Sequence, residues 1–250
     1  YQRYQRQILL KEFGEKGQQN LFDAKVLVIG AGGLGCPALQ YLAAAGVGRI
    51  GIVDYDVVEI SNLQRQILYS VDDIGKSKAR VAAEKLKAFN PEIMILTFNT
   101  KLQTDNALKI ISDFDVVIDG SDNFPTRYLV NDTCVLLGKP FVYGSVFHFE
   151  GQISVFNFGN EKTRINYRDL FPTPPSPHEV PDCNAGGVMG TLPGIIGTMQ
   201  ANEAIKIITG IGKVFSNKLF TYNALENSFY EVEIFPHKKI KSNEYNIRTE

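Results

Sequence analysis

Through the first 145 residues, short apolar runs alternate with longer amphipathic stretches. Residues 26–29, Val-Leu-Val-Ile, form an unbroken apolar run, the pattern of a parallel strand covered on both faces. The run stops at Gly30, and helical character follows over 36–45 until Gly46-Val-Gly48 ends it. A second strand is read over 49–54. An amphipathic helix is read over 75–89, stopped by Asn90-Pro91. A third strand covers 93–98, and Thr104-Asp105 is placed to cap a short helix running to Ser112. A fourth strand at 114–119, a helix at 125–137 and a fifth strand at 141–145 complete the alternation. This order predicts an α/β fold with a Rossmann-like, doubly wound, mostly parallel sheet.

After residue 145 the rhythm changes. Residues 147–158 read as a hairpin or meander, and 159–182 as an irregular, mobile loop carrying five prolines. An apolar helix over 193–209 is bounded by Gly210, and 218–223 with 228–235 read as a closing antiparallel pair that extends the sheet. Residues 1–22 form a polar, aromatic arm with a short helix near 16–22, which must lie on the main body or on a partner chain. The charged tail 238–250 is expected to fray. The reading is one domain, with a nucleotide-binding half at 23–146 and a second half at 147–237.

Composition narrows the function classes. A chain with 44% hydrophobic and 21% charged residues is an ordinary globular mix. A net charge of -1 argues against nucleic-acid partners and against binding to anionic membranes. No apolar run reaches the length of a membrane span, and the first residues lack a signal-peptide pattern. Cys36, Cys134 and Cys183 lie far apart and form no C-x-x-C pair, so a reducing, cytoplasmic setting is expected.

The chemistry centres on Gly30, Gly32 and Gly35, which with Gly33 make a G-x-G-x-x-G turn between a strand and a helix. Free backbone N–H groups and the positive end of a helix dipole then face one point, a ready anion site. Asp54, at the end of the second strand, sits where such folds hydrogen-bond ribose hydroxyls. Asp56 is read instead as a loop or cap carboxylate. Of the basic residues on the 75–89 helix, Lys78 is the candidate phosphate ligand, and the others form a solvated face. Asp122 follows the fourth strand. The glycine turn, Asp54 and Asp122 each follow the carboxyl end of a different predicted strand, and those ends border the ligand crevice of an open α/β sheet. A dinucleotide dehydrogenase and an ATP-using enzyme both fit the glycine turn. A carboxylate available for Mg²⁺ at Asp122, with cations at Arg65, Lys78 and Arg6, favours ATP. No G-x-x-x-x-G-K-[ST] occurs, so the chain is not a P-loop NTPase.

Seven segments, taken in order, carry a resemblance. They are Arg3-Tyr-Gln-Arg-Gln7, Gly30-Ala-Gly-Gly-Leu-Gly35, Asp54-Tyr-Asp56, Ser61-Asn-Leu-Gln-Arg-Gln66, Gly75-Lys-Ser-Lys78, Asp119-Gly-Ser-Asp-Asn123 and Glu150-Gly-Gln152. The set resembles the ThiF/MoeB/HesA family, bacterial relatives of ubiquitin-activating enzymes, from about Arg3 to Phe235. The resemblance implies an adenylyltransferase that activates the C-terminal Gly-Gly carboxylate of a ubiquitin-like sulfur-carrier protein with ATP and Mg²⁺, for thiamin or molybdopterin synthesis. The half at 147–237 would bind the carrier, and a sulfur donor would act afterwards.

The resemblance also assigns roles. Asp54 is the ribose ligand. Asn62, Arg65 and Lys78 hold phosphates, Gln66 and Asn123 stand in the same wall, and Asp122 is the Mg²⁺ ligand. Arg6 matches an arginine that reaches the other protomer's site, which implies a homodimer. Cys183 matches a cysteine implicated in a covalent intermediate of sulfur transfer, with packing as its alternative. Cys36, at a helix start, has the option of a lowered pKa, although packing suits it better. Cys134 reads as core. Many family members carry a structural zinc on two C-x-x-C pairs. Here Asn166-Tyr-Arg-Asp169 occupies the place of the first pair and no cysteine follows Phe235, so no structural zinc is expected. An enzyme adenylating another carboxylate (a peptide or a modified tRNA), a non-catalytic nucleotide-binding scaffold and the dehydrogenase remain as alternatives.

Overall fold

The computed structural model describes residues 1–175 and 187–237. In chain order the elements are α1 (Gln5–Ile8), α2 (Gly14–Asp23), β1 (Lys25–Ile29), α3 (Gly35–Ala45), β2 (Arg49–Val53), α4 (Lys78–Phe89), β3 (Met94–Phe98) and α5 (Ala107–Ser112). Then follow β4 (Val116–Asp119), α6 (Phe124–Leu137), β5 (Phe141–Phe147), β6 (Glu150–Phe156), α7 (Tyr167–Leu170), α8 (Thr191–Thr209), β7 (Lys218–Asn223) and β8 (Ser228–Glu233).

The strands form one eight-stranded sheet in the order β3-β2-β1-β4-β5-β6-β7-β8. The first five are parallel and the last three are added antiparallel. Alternation along each strand sends side chains to two cores. Val26, Val28, Ile50, Ile52 and Ile118 pack with α3, α4 and α8 on one face. Leu27, Ile29, Val117, Phe141 and Tyr143 pack with α5, α6 and α7 on the other. A sheet buried on both faces explains why β1, β2 and β4 read as unbroken apolar runs. The register sets Ile29 beside Val53 and Asp119, and Val53 beside Phe98, so the carboxyl ends of β1, β2, β3 and β4 finish level.

Several boundaries differ from the sequence reading. Thr104-Asp105 does not cap α5. Asn106 precedes the helix without a side-chain cap, and its carboxamide accepts from Gln103 N at 2.9 Å and donates to the Lys101 carbonyl at 3.0 Å. α4 begins at Lys78 rather than Gly75, because Gly75, with φ of 82°, belongs to the turn before it. β5 runs on to Phe147, and the hairpin turns at His148-Phe149. The 159–182 loop is not uniformly irregular. Asn166 and Asp169 form a capping box at the N-terminus of α7, with the Asp169 carboxylate accepting from Asn166 N at 2.8 Å, and Tyr167 is fully buried. Asp169 also accepts from the His237 amide at 2.8 Å, tying the closing segment to α7. Residues 238–250, with His178 and Cys183, lie outside the described residues.

The arm lies on its own chain at the amino ends of the strands. Gln7 and Gln18 donate to the Ala45 carbonyl at 2.8 and 3.1 Å, and Asn90 donates to Tyr4 Oη at 2.8 Å. Among the described residues no helix is long and apolar enough to cross a membrane.

Candidate nucleotide-binding cleft

The level carboxyl ends open into a cleft of about 470 Å³. Gly30, Gly32 and Gly33 line its back wall. Gly30 has φ of 86°, and a Cβ there would stand 2.7 Å from the Gly120 carbonyl oxygen. Gly35 plays a different part from the one expected. It does not line the cleft, and a Cβ on it would fall 1.9 Å from the Gly30 carbonyl oxygen. It lets α3 begin directly against the turn, which aims the helix N-terminus into the cleft.

Asp54, 7% exposed, ties this turn to the end of β2. One oxygen accepts from Ala31 N at 2.7 Å and the other from Asp56 N at 2.8 Å. Burial pushes its pKa up, against the pull of those two amides and of Lys78. A carboxylate offers about four acceptor sites, so two amide bonds leave capacity for sugar hydroxyls.

Lys78, the first residue of α4, is buried, with its Nζ 3.1 Å from Asp56 Oδ2. Asp56 is therefore not a mere loop carboxylate. It lines the cleft and holds the lysine in position. Arg65 is half-buried on the same side, its Nη1 donating to the Ser61 carbonyl at 3.1 Å. Gln66 is 4% exposed, lines the cleft, and its Oε1 has no partner among the described residues. A buried acceptor left open at a cleft wall is a place for a ligand donor.

Asp122 is exposed at the cleft, and among the described residues its side chain accepts a single hydrogen bond, from Asn123 Nδ2 at 3.4 Å. Asn123 also lines the cleft while capping α6, its Oδ1 accepting from Thr126 N at 3.0 Å. Asn62 is not in the lining. Its carboxamide turns inward and accepts from Glu59 N at 3.1 Å, closing a 3₁₀ turn at Ile60–Asn62.

Arg6 does not enter the cleft of its own chain. It is exposed on α1, with the arm at the opposite end of the strands. Cys36 is fully buried 3.3 Å from the Ala31 carbonyl, and burial pushes its thiol up to about 12, so it is a packing residue and not an activated thiol. Cys134 is likewise buried in the core, its pKa raised by burial. Cys183 lies outside the described residues.

The sequence reading missed Lys101, Ser145 and Arg127, all of which line the cleft. Arg127 was legible in principle, because the first turn of α6 returns toward the carboxyl end of β4. Among the described residues no group of three or more His, Cys, Asp or Glu side chains is placed to hold a metal by itself.

The family model described as ThiF family matches residues 4–243. The chain is 50% identical over 234 residues to the sulfur carrier protein adenylyltransferase of Thermus thermophilus, covering 93% of this chain and 86% of that protein. It is 50% identical over 233 residues to the probable adenylyltransferase/sulfurtransferase MoeZ of Mycobacterium tuberculosis, covering 93% of this chain but 59% of MoeZ. With the adenylyltransferase and sulfurtransferase MOCS3 of Xenopus laevis the identity is 49% over 232 residues, covering 93% of this chain and 51% of that protein. The chain thus spans little more than half the length of these larger relatives. Among solved structures, E. coli MccB with ATP superposes with a TM-score of 0.83 at 23% identity, covering 97% of this chain and 74% of that one, a likeness of fold.

Proposed function

The chain belongs to the ThiF family, and from that premise we propose that it is an adenylyltransferase that uses ATP to activate the C-terminal Gly-Gly carboxylate of a ubiquitin-like sulfur-carrier protein. The observation that carries the reading is the gathering of the glycine turn, Asp54, Arg65, Lys78 and Asp122 around one cleft from separate stretches of chain.

In this reading Asp54 receives the ribose hydroxyls. The amides of the glycine turn and the start of α3 receive phosphate oxygens, with Arg65 and Lys78 supplying fixed positive charge. Lys78 is poised for this. Its first turn of α4 is anchored by its own amide donating to the Asp56 carbonyl at 3.0 Å. A phosphate oxygen then competes with the more exposed Asp56 carboxylate for the ammonium. The carrier's carboxylate oxygen attacks the α-phosphorus, the bond to the bridging oxygen breaks, and pyrophosphate leaves. The products are an acyl-adenylate and pyrophosphate. Two anions must approach, so catalysis consists of positioning and of cancelling their repulsion.

The residues fit a Mg²⁺ ion brought in with the nucleotide. Mg²⁺ takes one or two carboxylates plus phosphate oxygens and water, and Asp122 offers an exposed, weakly engaged carboxylate at the cleft. There the ion would neutralise phosphate charge. The remoteness of Arg6 from its own cleft supports a homodimer in which it serves the other protomer. Cys183 and a sulfur donor belong to the step after adenylation, feeding thiamin or molybdopterin synthesis in the cytoplasm.

Pyrophosphate exchange into ATP, with Mg²⁺ and a small carrier ending in Gly-Gly, tests the assignment. Exchange that requires the carrier and disappears when its last glycine is removed is expected. Tight ATP binding with no exchange for any such carrier would point to a different carboxylate substrate.

A further inference from the structure

One buried ion pair beneath the cleft has no part in the chemistry above. Asp119, the last residue of β4, is fully buried. Arg127, from the first turn of α6, is 8% exposed and reaches back to it, with Nε 3.9 Å from Asp119 Oδ2. At 3.9 Å this is an ion pair without a direct hydrogen bond. Neither Asp119 Oδ2 nor Arg127 Nε has a hydrogen-bond partner among the described residues. A pair kept only for stability would close that gap, because a buried charge left partly unsatisfied costs free energy.

The two side chains instead spend their bonds on a single residue of the loop above them. The other Asp119 oxygen accepts from Ser121 N at 2.9 Å, and Arg127 Nη2 donates to the Ser121 carbonyl at 3.2 Å. Both peptide groups of Ser121 are therefore held by a charged partner, one from each side. The next residue is Asp122. Behind it, Gly120 N donates to the Ile29 carbonyl at 2.7 Å, and ahead of it Asn123 caps α6. The loop is thus gripped on both sides of Asp122, whose exposed carboxylate lines the cleft with only the long bond from Asn123 Nδ2 upon it among the described residues. Arg127 is held in turn against the rings of Phe124 and Tyr143, its guanidinium 5.5 Å from each centroid.

We propose that Arg127, working with Asp119, is a positioning residue of the adenylation site that clamps Ser121 and thereby fixes the Asp122 carboxylate where the nucleotide's metal-bound phosphates arrive. The proposal rests on the adenylation reading given above. It separates the two aspartates of the Asp119-Gly-Ser-Asp122 segment by role, the first holding the loop from below and the second working at its tip.

The variants are chosen so that unfolding does not mimic the effect. Arg127→Met alone leaves Asp119 buried without its counter-charge and is expected to destabilise the protein. The double variant Asp119→Asn with Arg127→Met removes both charges and is expected to melt near the wild-type temperature. Arg127→Lys keeps the charge but loses the fork that reaches Ser121. The readouts are ATP binding by equilibrium dialysis, carrier-dependent pyrophosphate exchange, and the Mg²⁺ concentration giving half-maximal exchange. Misplacing a working group by about 1 Å costs on the order of 100-fold in rate. The double variant is therefore expected to bind ATP as the wild type does while its exchange rate falls about 10- to 100-fold and its Mg²⁺ requirement rises. Arg127→Lys should fall between the two. A double variant that folds and exchanges with the wild-type rate and Mg²⁺ requirement overturns the clamp. So does a loss of ATP binding in proportion to the loss of exchange, since that is the mark of general damage to the cleft. Asp122→Ala is the control on the underlying reading. If it retains full Mg²⁺-dependent exchange, the site assignment fails and the clamp with it, whereas loss of exchange there beside a silent Arg127 sinks the clamp alone.

Discussion

The two halves of the sheet are built to different plans. In the parallel half β2, β1, β4 and β5 carry helices on both faces, only the edge strand β3 is largely exposed, and the strand ends converge on a pre-assembled cleft. The antiparallel half thins toward the edge. β6 is still mostly buried, whereas every residue of β8 after Ser228 is exposed, including Phe229, Tyr230 and Val232. The hairpin at Phe147-His148-Phe149 and Met189 continue this exposed apolar character toward the cleft mouth. A small anionic ligand needs fixed dipoles and charges, which only a rigid, doubly covered frame can hold in register. The outer strands do not contribute to that frame, and their sequence is free to place large apolar side chains in water.

This contrast predicts unequal responses to substitution. Gly35→Ala in the parallel half should have the largest effect. Its Cβ would collide with the Gly30 carbonyl at 1.9 Å, and backbone, unlike a side chain, cannot step aside. A stability loss of about 3 kcal/mol is expected in urea titration, together with loss of ATP binding. A variant with normal stability and affinity would show that the turn is more plastic than its contacts imply.

Phe229→Ser, in the outer half, should cost less. It removes the stack on Tyr222 at 4.6 Å, a cross-strand pair worth about 1 kcal/mol or less, and should leave ATP affinity unchanged. Reduced ATP affinity in this variant would dissolve the separation between the halves.

The smallest effect is one of pH. Burial acts to raise the pKa of Asp73, but its ion pair with Lys85 and its bonds from Ser70 outweigh that and hold it at about 2. An unfolded aspartate titrates near ~3.9, so below that pH the unfolded chain takes up the proton first. The contribution is present in full above about pH 4 and is lost as pH falls toward about 2. Asp73→Asn should lower stability at neutral pH and flatten the acid limb of the stability profile. An unchanged limb would mean that the pair joining this crossover turn to α4 carries no weight.

Much of this molecule could be read from local windows of sequence. Apolar runs at strand length, a glycine turn and an Asn-Pro stop act over a few residues, and so β1, β2, α6 and the closing pair β7–β8 appear within a residue or two of where they were read. Asp54, Arg65, Gln66, Lys78, Asp122 and Asn123 were legible too. Asp54 and Asp122 follow carboxyl ends of strands, which in a parallel sheet meet on one side, whereas Arg65, Gln66, Lys78 and Asn123 were marked by the family resemblance and the structure brings them to the same cleft. Local pattern said nothing about partners. Whether Asp56 was a loop carboxylate or the counter-charge of Lys78 depended on how the segment after β2 lies beside the start of α4. Whether Asn62 faced ligand or its own turn depended on a rotation that no periodicity records. The part played by Gly35 depended on how closely α3 approaches the turn. Arg127 escaped notice because its meaning lies in Asp119, a buried charge on another element, and in the backbone of Ser121 between them. Element type is set by short-range sterics and hydrophobic period, which the sequence determines by itself. The pairing of charges and the orientation of side chains are set by distances between elements, and only the tertiary structure decides those.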